Sequence, residues 1–372
     1  MILNSHLPHQ KEVKSLTSGK LKIKEIRKKL SYVLPILLTA IFLFFAFRNV
    51  DLGTSLDLIS QANLLWMLLF LGIFYFSHFI RAVRWKVMIT TVKPDASILN
   101  LFGTVMIGYG INCAVPRLGE VYRAMFLGKW ENLSRTSLFG TIIIERVIDV
   151  FTFAASVLIS VLVFPGNLFK EFAWLESTIY LSFGALIIVV AFILMIVYKR
   201  EKFYSYIINF FSRISPKIAG KLAYAFEMLA EGFGSLKGAK NYFIVFLLTA
   251  LMMLVYAASN YVAFFMLHMN SIQAVTFGMA WILMTISSFG VAIPTPGGTG
   301  SYHAFIILVL VNLFNFSHEI SAAYALLTHF ITYVAFIIST FLFIYIINKI
   351  RASKGEKAEN LFTVFKDKSE SE

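Results

Sequence analysis

Apolar stretches of membrane-crossing length, separated by short charged pieces, set the pattern of this chain. They run near Tyr32–Phe47, Leu64–Ile80, Ile98–Val115, Ser137–Phe164, Thr178–Tyr198, Tyr242–Leu267, Gln273–Ile293, Ser301–Phe314 and Ala322–Ile347. A helix needs about 20 mostly apolar residues to cross a bilayer, and about six of these stretches read as full spans. The others do not. Ile98–Val115 carries Asn100, Asn112, Gly103, Gly108 and Gly110 and is flanked on both sides by positive charge, so it is predicted to turn back inside the membrane. Ser301–Phe314 is about 14 residues, roughly 21 Å as a helix against a hydrocarbon core of about 30 Å. With Gln273–Ile293 and the turn Pro294-Thr295-Pro296-Gly297-Gly298-Thr299-Gly300 it is predicted to form a second re-entrant hairpin, entered from the opposite face.

The placement of basic residues orients these elements. Arg27, Lys28 and Lys29 put the start of the chain in the cytoplasm, because positive flanks are retained there. Arg81, Arg84, Lys86 and Lys93 then fall on the inside, as do Lys199–Lys221 and the terminal Lys349, Arg351, Lys354 and Lys357. The linkers near Asp51–Asp57, Lys170–Glu176 and His318–Glu319 are poor in Lys and Arg and fall outside. The expected architecture is an all-α polytopic membrane protein, with two re-entrant helical hairpins in an inverted repeat. Transporters place sites between such repeats. The predicted organisation is a basic cytoplasmic tail over 1–30 and a membrane domain over 31–347, with a first repeat near 64–164 and a second near 242–347. Phe203–Leu236, within a linker over 203–238, has apolar residues at helical spacing and reads as a basic amphipathic pair of helices on the cytoplasmic leaflet. The polar tail over 348–372 is expected to be cytoplasmic and, after Lys354, mobile.

Composition agrees with the pattern. Of 372 residues, 58% are hydrophobic and only 14% charged, where soluble domains carry roughly one-quarter. The net charge of +13 would suit nucleic acid, but no soluble domain is left to read a groove, and orientation in a membrane accounts for it. A single cysteine, Cys113, excludes an internal disulfide and any multi-cysteine metal site. No cofactor, metal or catalytic residue is expected.

Three clusters carry candidate chemistry. In Pro116-Arg117-Leu118-Gly119-Glu120-Val121-Tyr122-Arg123, the spacing of three would line Arg117, Glu120 and Arg123 along one side of a helix. Arginine presents a fork of donors that matches phosphate oxygens; an interfacial salt bridge anchoring a loop is the plain alternative. In Glu145-Arg146-Val147-Ile148-Asp149, two carboxylates one turn apart sit inside an apolar stretch, too deep to snorkel. Arg146 reaches Asp149 at i,i+3, and the remaining carboxylate is predicted to pair with Arg117 or Arg123, or to titrate as a proton site; a purely structural ion network is the alternative. The third cluster is the turn with Pro294, Pro296, Gly297, Gly298 and Gly300, followed by His303. Irregular backbone at membrane depth needs a cavity or protein cover, and the helix that follows offers free N–H groups to an anion. His78 and His329 read as structural.

At these motifs, namely Arg117-Leu118-Gly119-Glu120 with Arg123, Glu145-Arg146 with Asp149, and Pro294-Thr295-Pro296-Gly297-Gly298 with Gly300, the chain resembles the membrane region of lysylphosphatidylglycerol synthetases and the related flippase-like integral-membrane family. The resemblance covers about Leu64–Ile347. It implies a lipid-flipping module, which in the synthetases moves aminoacylated phosphatidylglycerol outward; stand-alone relatives are tied to glycolipid, polyprenyl-linked or hopanoid pathways. No soluble aminoacyl-transferase domain follows, so synthetase activity is not carried over. Where many relatives have an acidic residue after the glycine turn, this chain reads Ser301-Tyr302-His303.

The expected function is therefore translocation of a phosphate-bearing lipid or polyprenyl-linked glycolipid across the inner, cytoplasmic membrane, with both termini cytoplasmic. The alternatives are a membrane-embedded transferase acting on a lipid carrier and a non-transporting scaffold of an envelope-lipid pathway. The expected partner is the lipid itself and not nucleic acid; a homo-oligomer is compatible with this reading.

Overall fold

The computed structural model describes residues 33–164 and 238–365 continuously, with isolated positions between them. Helices α1 (Val33–Phe47) and α2 (Leu52–Ser60) meet at 85°. The bend falls where Asp51 leaves helical geometry and its carboxylate accepts from Gly53 N at 2.9 Å and Thr54 N at 3.3 Å, using donors that the start of α2 leaves free. Asn63 caps α3 (Leu64–Ile89) in the same way. Among the described residues, α3, α6 (Arg135–Val163), α7 (Ala239–Met266) and α10 (His318–Ala352) are long and apolar enough to cross a membrane, and the bent pair α1–α2 adds a fifth span if counted as one. The chain is an integral, multi-pass, all-helical membrane protein. The expected span Thr178–Tyr198 and the amphipathic stretch Phe203–Leu236 lie largely outside the described residues, as does the basic tail.

Between the long helices sit two helical hairpins. The first is α4 (Ile98–Ala114) with α5 (Gly119–Glu131); the second is α8 (Phe277–Ala292) with α9 (Ser301–Asn312). The first corrects the sequence reading. Ile98–Val115 does not turn back within itself: it runs as one helix to Ala114, turns at Val115–Leu118, and returns through the charged stretch. The limbs can cross closely because small residues meet at the crossing. A Cβ on Gly119 would lie 1.9 Å from the Gly108 carbonyl oxygen, and one on Gly290 would lie 2.7 Å from that of Ser301. In the second turn the backbone takes left-handed φ at Gly297 (59°) and Gly300 (85°), which a side chain would resist.

Helix α3 packs on α7, α4 on α10 and α6 on α8, while each hairpin also touches the long helices before and after it. Ser156 and Thr285 share a 2.6 Å hydrogen bond across the α6–α8 contact. The chain beyond α10 also differs from expectation. It folds back on α5: Val364 is buried beside Ile107, Phe126, Trp130 and Ile347, Glu359 meets Lys129 at 3.5 Å, and Asn348 exchanges hydrogen bonds with the Glu359 backbone at 2.6 and 3.0 Å. Apolar side chains in that segment, not its polar average, decide its placement.

Candidate functional site

Glu145 and Asp149 stand one turn apart on α6, facing α3 and α5. Glu145 is fully buried. Arg123 of α5 donates to it at 2.8 Å, and Arg81 of α3 donates to its other oxygen. Arg84, a turn along α3 and fully buried, donates to Asp149 at 2.7 Å and lies 3.4 Å from Glu145. Arg81 reaches Asp149 as well, at 2.9 Å. Helix α7 contributes neutral partners: Thr249 accepts from Arg84 at 3.1 Å and Tyr256 from Arg81 at 3.3 Å. The Arg123 guanidinium lies over the Trp85 ring, 4.3 Å from its centre.

A second tier leads away from this core. Arg146 pairs with Glu120 of α5 at 3.2 Å and with Asp149 at 3.4 Å, and its side chain is 40% exposed. Asn112 of α4 donates to Glu120 at 3.5 Å and accepts from Gly119 N at 2.7 Å, tying the tip of the first hairpin to the cluster. Among the described residues, four guanidiniums thus face three carboxylates, leaving one positive charge over. The Nε–H groups of Arg81, Arg84, Arg123 and Arg146 are all buried without a hydrogen-bond partner among the described residues. Ions desolvated this far hold together only through such mutual pairing, and a surplus guanidinium with spare donors can take an oxyanion.

The structure brings together Glu120, Arg123, Glu145, Arg146 and Asp149, and the carboxylate left over by Arg146 pairs with Arg123, one of the two expected partners. Arg117 is elsewhere. It does not share a helical side with Glu120 and Arg123, because its φ of 64° places it in the turn before α5. Its Nη2 donates instead to the Ala292 carbonyl of α8 at 3.2 Å.

The glycine turn and His303 form a separate polar group beside this contact. The Gly297 carbonyl is hydrogen-bonded to His329 at 3.1 Å; Gly300 N donates to His303 Nδ1 at 3.2 Å, so one N–H expected to be free for an anion is already used. Thr295 and Ser301 hydroxyls meet at 2.9 Å, and Tyr302 meets Thr328 at 3.1 Å. Pro294, Pro296 and Gly298 shape the turn, with Gly298 buried and no charged residue within it. The two hairpin tips are in contact: a Cβ on Gly297 would lie 3.3 Å from the Cys113 Cα, and Tyr333 of α10 donates to the Cys113 carbonyl at 2.9 Å.

Arg81 and Arg84 are the residues that sequence reasoning misplaced. Taken for charges flanking a span on the cytoplasmic side, they belong to α3 itself, which runs on to Ile89. A signal was present, since His78, Arg81 and Arg84 recur at a spacing that puts them on one helical side. His78 stays structural, held at 2.8 Å by the Phe74 carbonyl and packed against Tyr109 and Phe336.

The chain is similar to known membrane proteins. A UPF0104 membrane protein of Methanocaldococcus jannaschii is 27% identical over 270 residues, covering 68% of this chain and 76% of its own. One of Methanothermobacter thermautotrophicus is 29% identical over 147 residues, 38% of this chain and 42% of its own. Another, of Pyrococcus horikoshii, is 25% identical over 201 residues, 52% and 56% respectively. The family described as "Lysylphosphatidylglycerol synthase TM region" matches residues 32–339, a range that takes in both hairpins and every member of the charged cluster. The chain therefore belongs to the lysylphosphatidylglycerol synthase transmembrane-region family.

Proposed function

We propose that this protein moves a lipid with a phosphate-bearing head group between the leaflets of the inner membrane, both termini being cytoplasmic, and that the Arg81–Arg84–Arg123–Arg146 cluster receives the phosphate. The carrying observation is the surplus guanidinium charge, with its unpartnered Nε–H donors, on helices of membrane-crossing length. Glu145 lies ten residues into α6, roughly 15 Å along its axis, within a hydrocarbon core of about 30 Å. Ionised groups at such depth are costly and mark functional sites by default.

The packing pattern supports an inverted repeat with two re-entrant hairpins. An exchange of α3 with α7, α4 with α8, α5 with α9 and α6 with α10 maps every neighbour relation of the first half onto one in the second, including the α4–α10 contact onto α8–α6. Hairpins entered from opposite faces and meeting at their tips would let each leaflet open in turn, with the head group crossing through protein while the tails stay in lipid.

The test uses proteoliposomes holding fluorescently tagged lipids, with a membrane-impermeant quencher reporting the outer leaflet. Tagged phosphatidylglycerol is expected to equilibrate at least tenfold faster than in protein-free vesicles, and a tagged phosphate-free diacylglycerol glycolipid is expected not to. Failure to accelerate any phosphate-bearing lipid contradicts the proposal.

A further inference from the structure

Arg117 sits outside the charged cluster, at the junction of the two hairpin tips. Its backbone is in the left-handed region, φ 64°, which a side chain occupies only when its surroundings hold it there. Its side chain is exposed and, among the described residues, makes one hydrogen bond, 3.2 Å to the carbonyl of the exposed Ala292 at the end of α8. That carbonyl belongs to the last turn of the helix, where carbonyls lack intrahelical partners and carry partial negative charge. The bond therefore suits a guanidinium, but it engages one of five donors with a neutral acceptor.

Behind this bond lies the contact that closes the tips. Gly297 rests against Cys113 and the Tyr333 ring, Tyr333 donates to the Cys113 carbonyl at 2.9 Å, and His329 holds the Gly297 carbonyl at 3.1 Å. Cys113 is left with 4% of its surface exposed. The outer side of the junction is open, with Ala114, Val115 and Val291 exposed around Arg117.

We propose that Arg117 is a ligand-operated latch. In the arrangement seen here it ties the first hairpin to the second through the Ala292 carbonyl; an arriving phosphate, able to take two donors of the fork and fully charged, draws the guanidinium away and lets the tips part. The ligand is the phosphate of a lipid head group, so the inference rests on the reading of the substrate given above. A neutral head group has nothing to draw Arg117 with and leaves the tips closed.

The chain carries its own reporter, because Cys113 is its one cysteine and is covered by the tip contact. Labelling by N-ethylmaleimide, followed by intact mass, is measured on the full chain in maltoside micelles free of phosphate lipid. Wild type is expected to label slowly and Arg117→Ala at least fivefold faster, with an unchanged melting temperature. Adding phosphatidylglycerol is expected to speed wild type at least fivefold and to leave Arg117→Ala where it was; digalactosyldiacylglycerol and inorganic phosphate at the same concentration are expected to do neither. Gly297→Ala, which would press a methyl on Tyr333 and Cys113, should expose the thiol and checks that Cys113 reports on the tip contact. Arg117→Gln, which removes the charge, serves if Arg117→Ala fails to fold, and an Arg117→Gln protein that labels like wild type and still responds to phosphatidylglycerol overturns the latch. Equal labelling of wild type and Arg117→Ala overturns the latch, as does rapid labelling of Arg117→Ala with no response of wild type to phosphatidylglycerol. Opening by inorganic phosphate alone overturns the head group as the ligand. The micelle comparison involves no transport, so an absence of lipid movement in vesicles would count against the substrate reading and leave the latch standing.

Discussion

Arg123 on α5 and Glu145 on α6 form a 2.8 Å ion pair in which the side chains are 2% and 0% exposed. This pair fastens the return limb of the first hairpin to a long membrane helix, and Arg81 and Arg84 fasten the same carboxylate to α3. Removing one partner of a buried network leaves the others unpaired in low dielectric, at a cost of about 3–5 kcal/mol. Glu145→Gln is expected to lower the melting temperature of the solubilised protein sharply, and Glu145→Asp to lower it less. A Glu145→Gln protein as stable as wild type would show that the arginines do not depend on it.

The close crossing of the first hairpin depends on Gly119. Because the atom facing it is the Gly108 carbonyl oxygen, a backbone atom that no rotamer change can move, Gly119→Ala must splay α4 from α5. Loss of folded protein, read as monodisperse yield after solubilisation, is expected. Gly72 in α3 has nothing within 4 Å of an added Cβ, and Gly72→Ala is expected to be neutral or to stabilise by up to about 1 kcal/mol through helix propensity.

The segment after α10 acts as a strap over α5. Val364 of this segment is wholly buried against the helices it covers, and full burial of a valine contributes roughly 1.5–3 kcal/mol. Val364→Asp is expected to release the strap. Hydrogen exchange across Gly119–Glu131 should rise while the Leu64–Phe76 part of α3 stays protected; unchanged exchange in α5 would contradict the strap.

How much of this was legible in the sequence differed by residue, for physical reasons. Glu145 and Asp149 stood out because two charges one turn apart interrupt a long apolar helix; Arg123 was one of the two arginines expected to pair with the spare carboxylate, and spacing alone did not separate it from Arg117. Both arms of the second hairpin were legible from a short apolar stretch and a turn dense in Gly and Pro. Arg81 and Arg84 were obscured by Lys86 and Lys93 close behind them: along the chain they look like one basic flank, and only the side of α3 that meets α6 separates them. Helix α5 was hidden because its own residues are weakly apolar and its burial comes from tertiary partners, the Arg123 pair and the strap. The position of Arg117 depends on a left-handed backbone that its residue type does not announce.

The most direct measurement concerns Arg146, the most exposed of the four guanidiniums at 40%. Arg146→Gln removes the surplus charge while leaving three arginines against three carboxylates, so the fold is expected to hold, with a melting temperature close to wild type. In the vesicle assay its movement of tagged phosphatidylglycerol is predicted to fall at least tenfold. A folded Arg146→Gln protein that moves phosphatidylglycerol as fast as wild type would contradict the claim that the surplus charge of this cluster receives the phosphate.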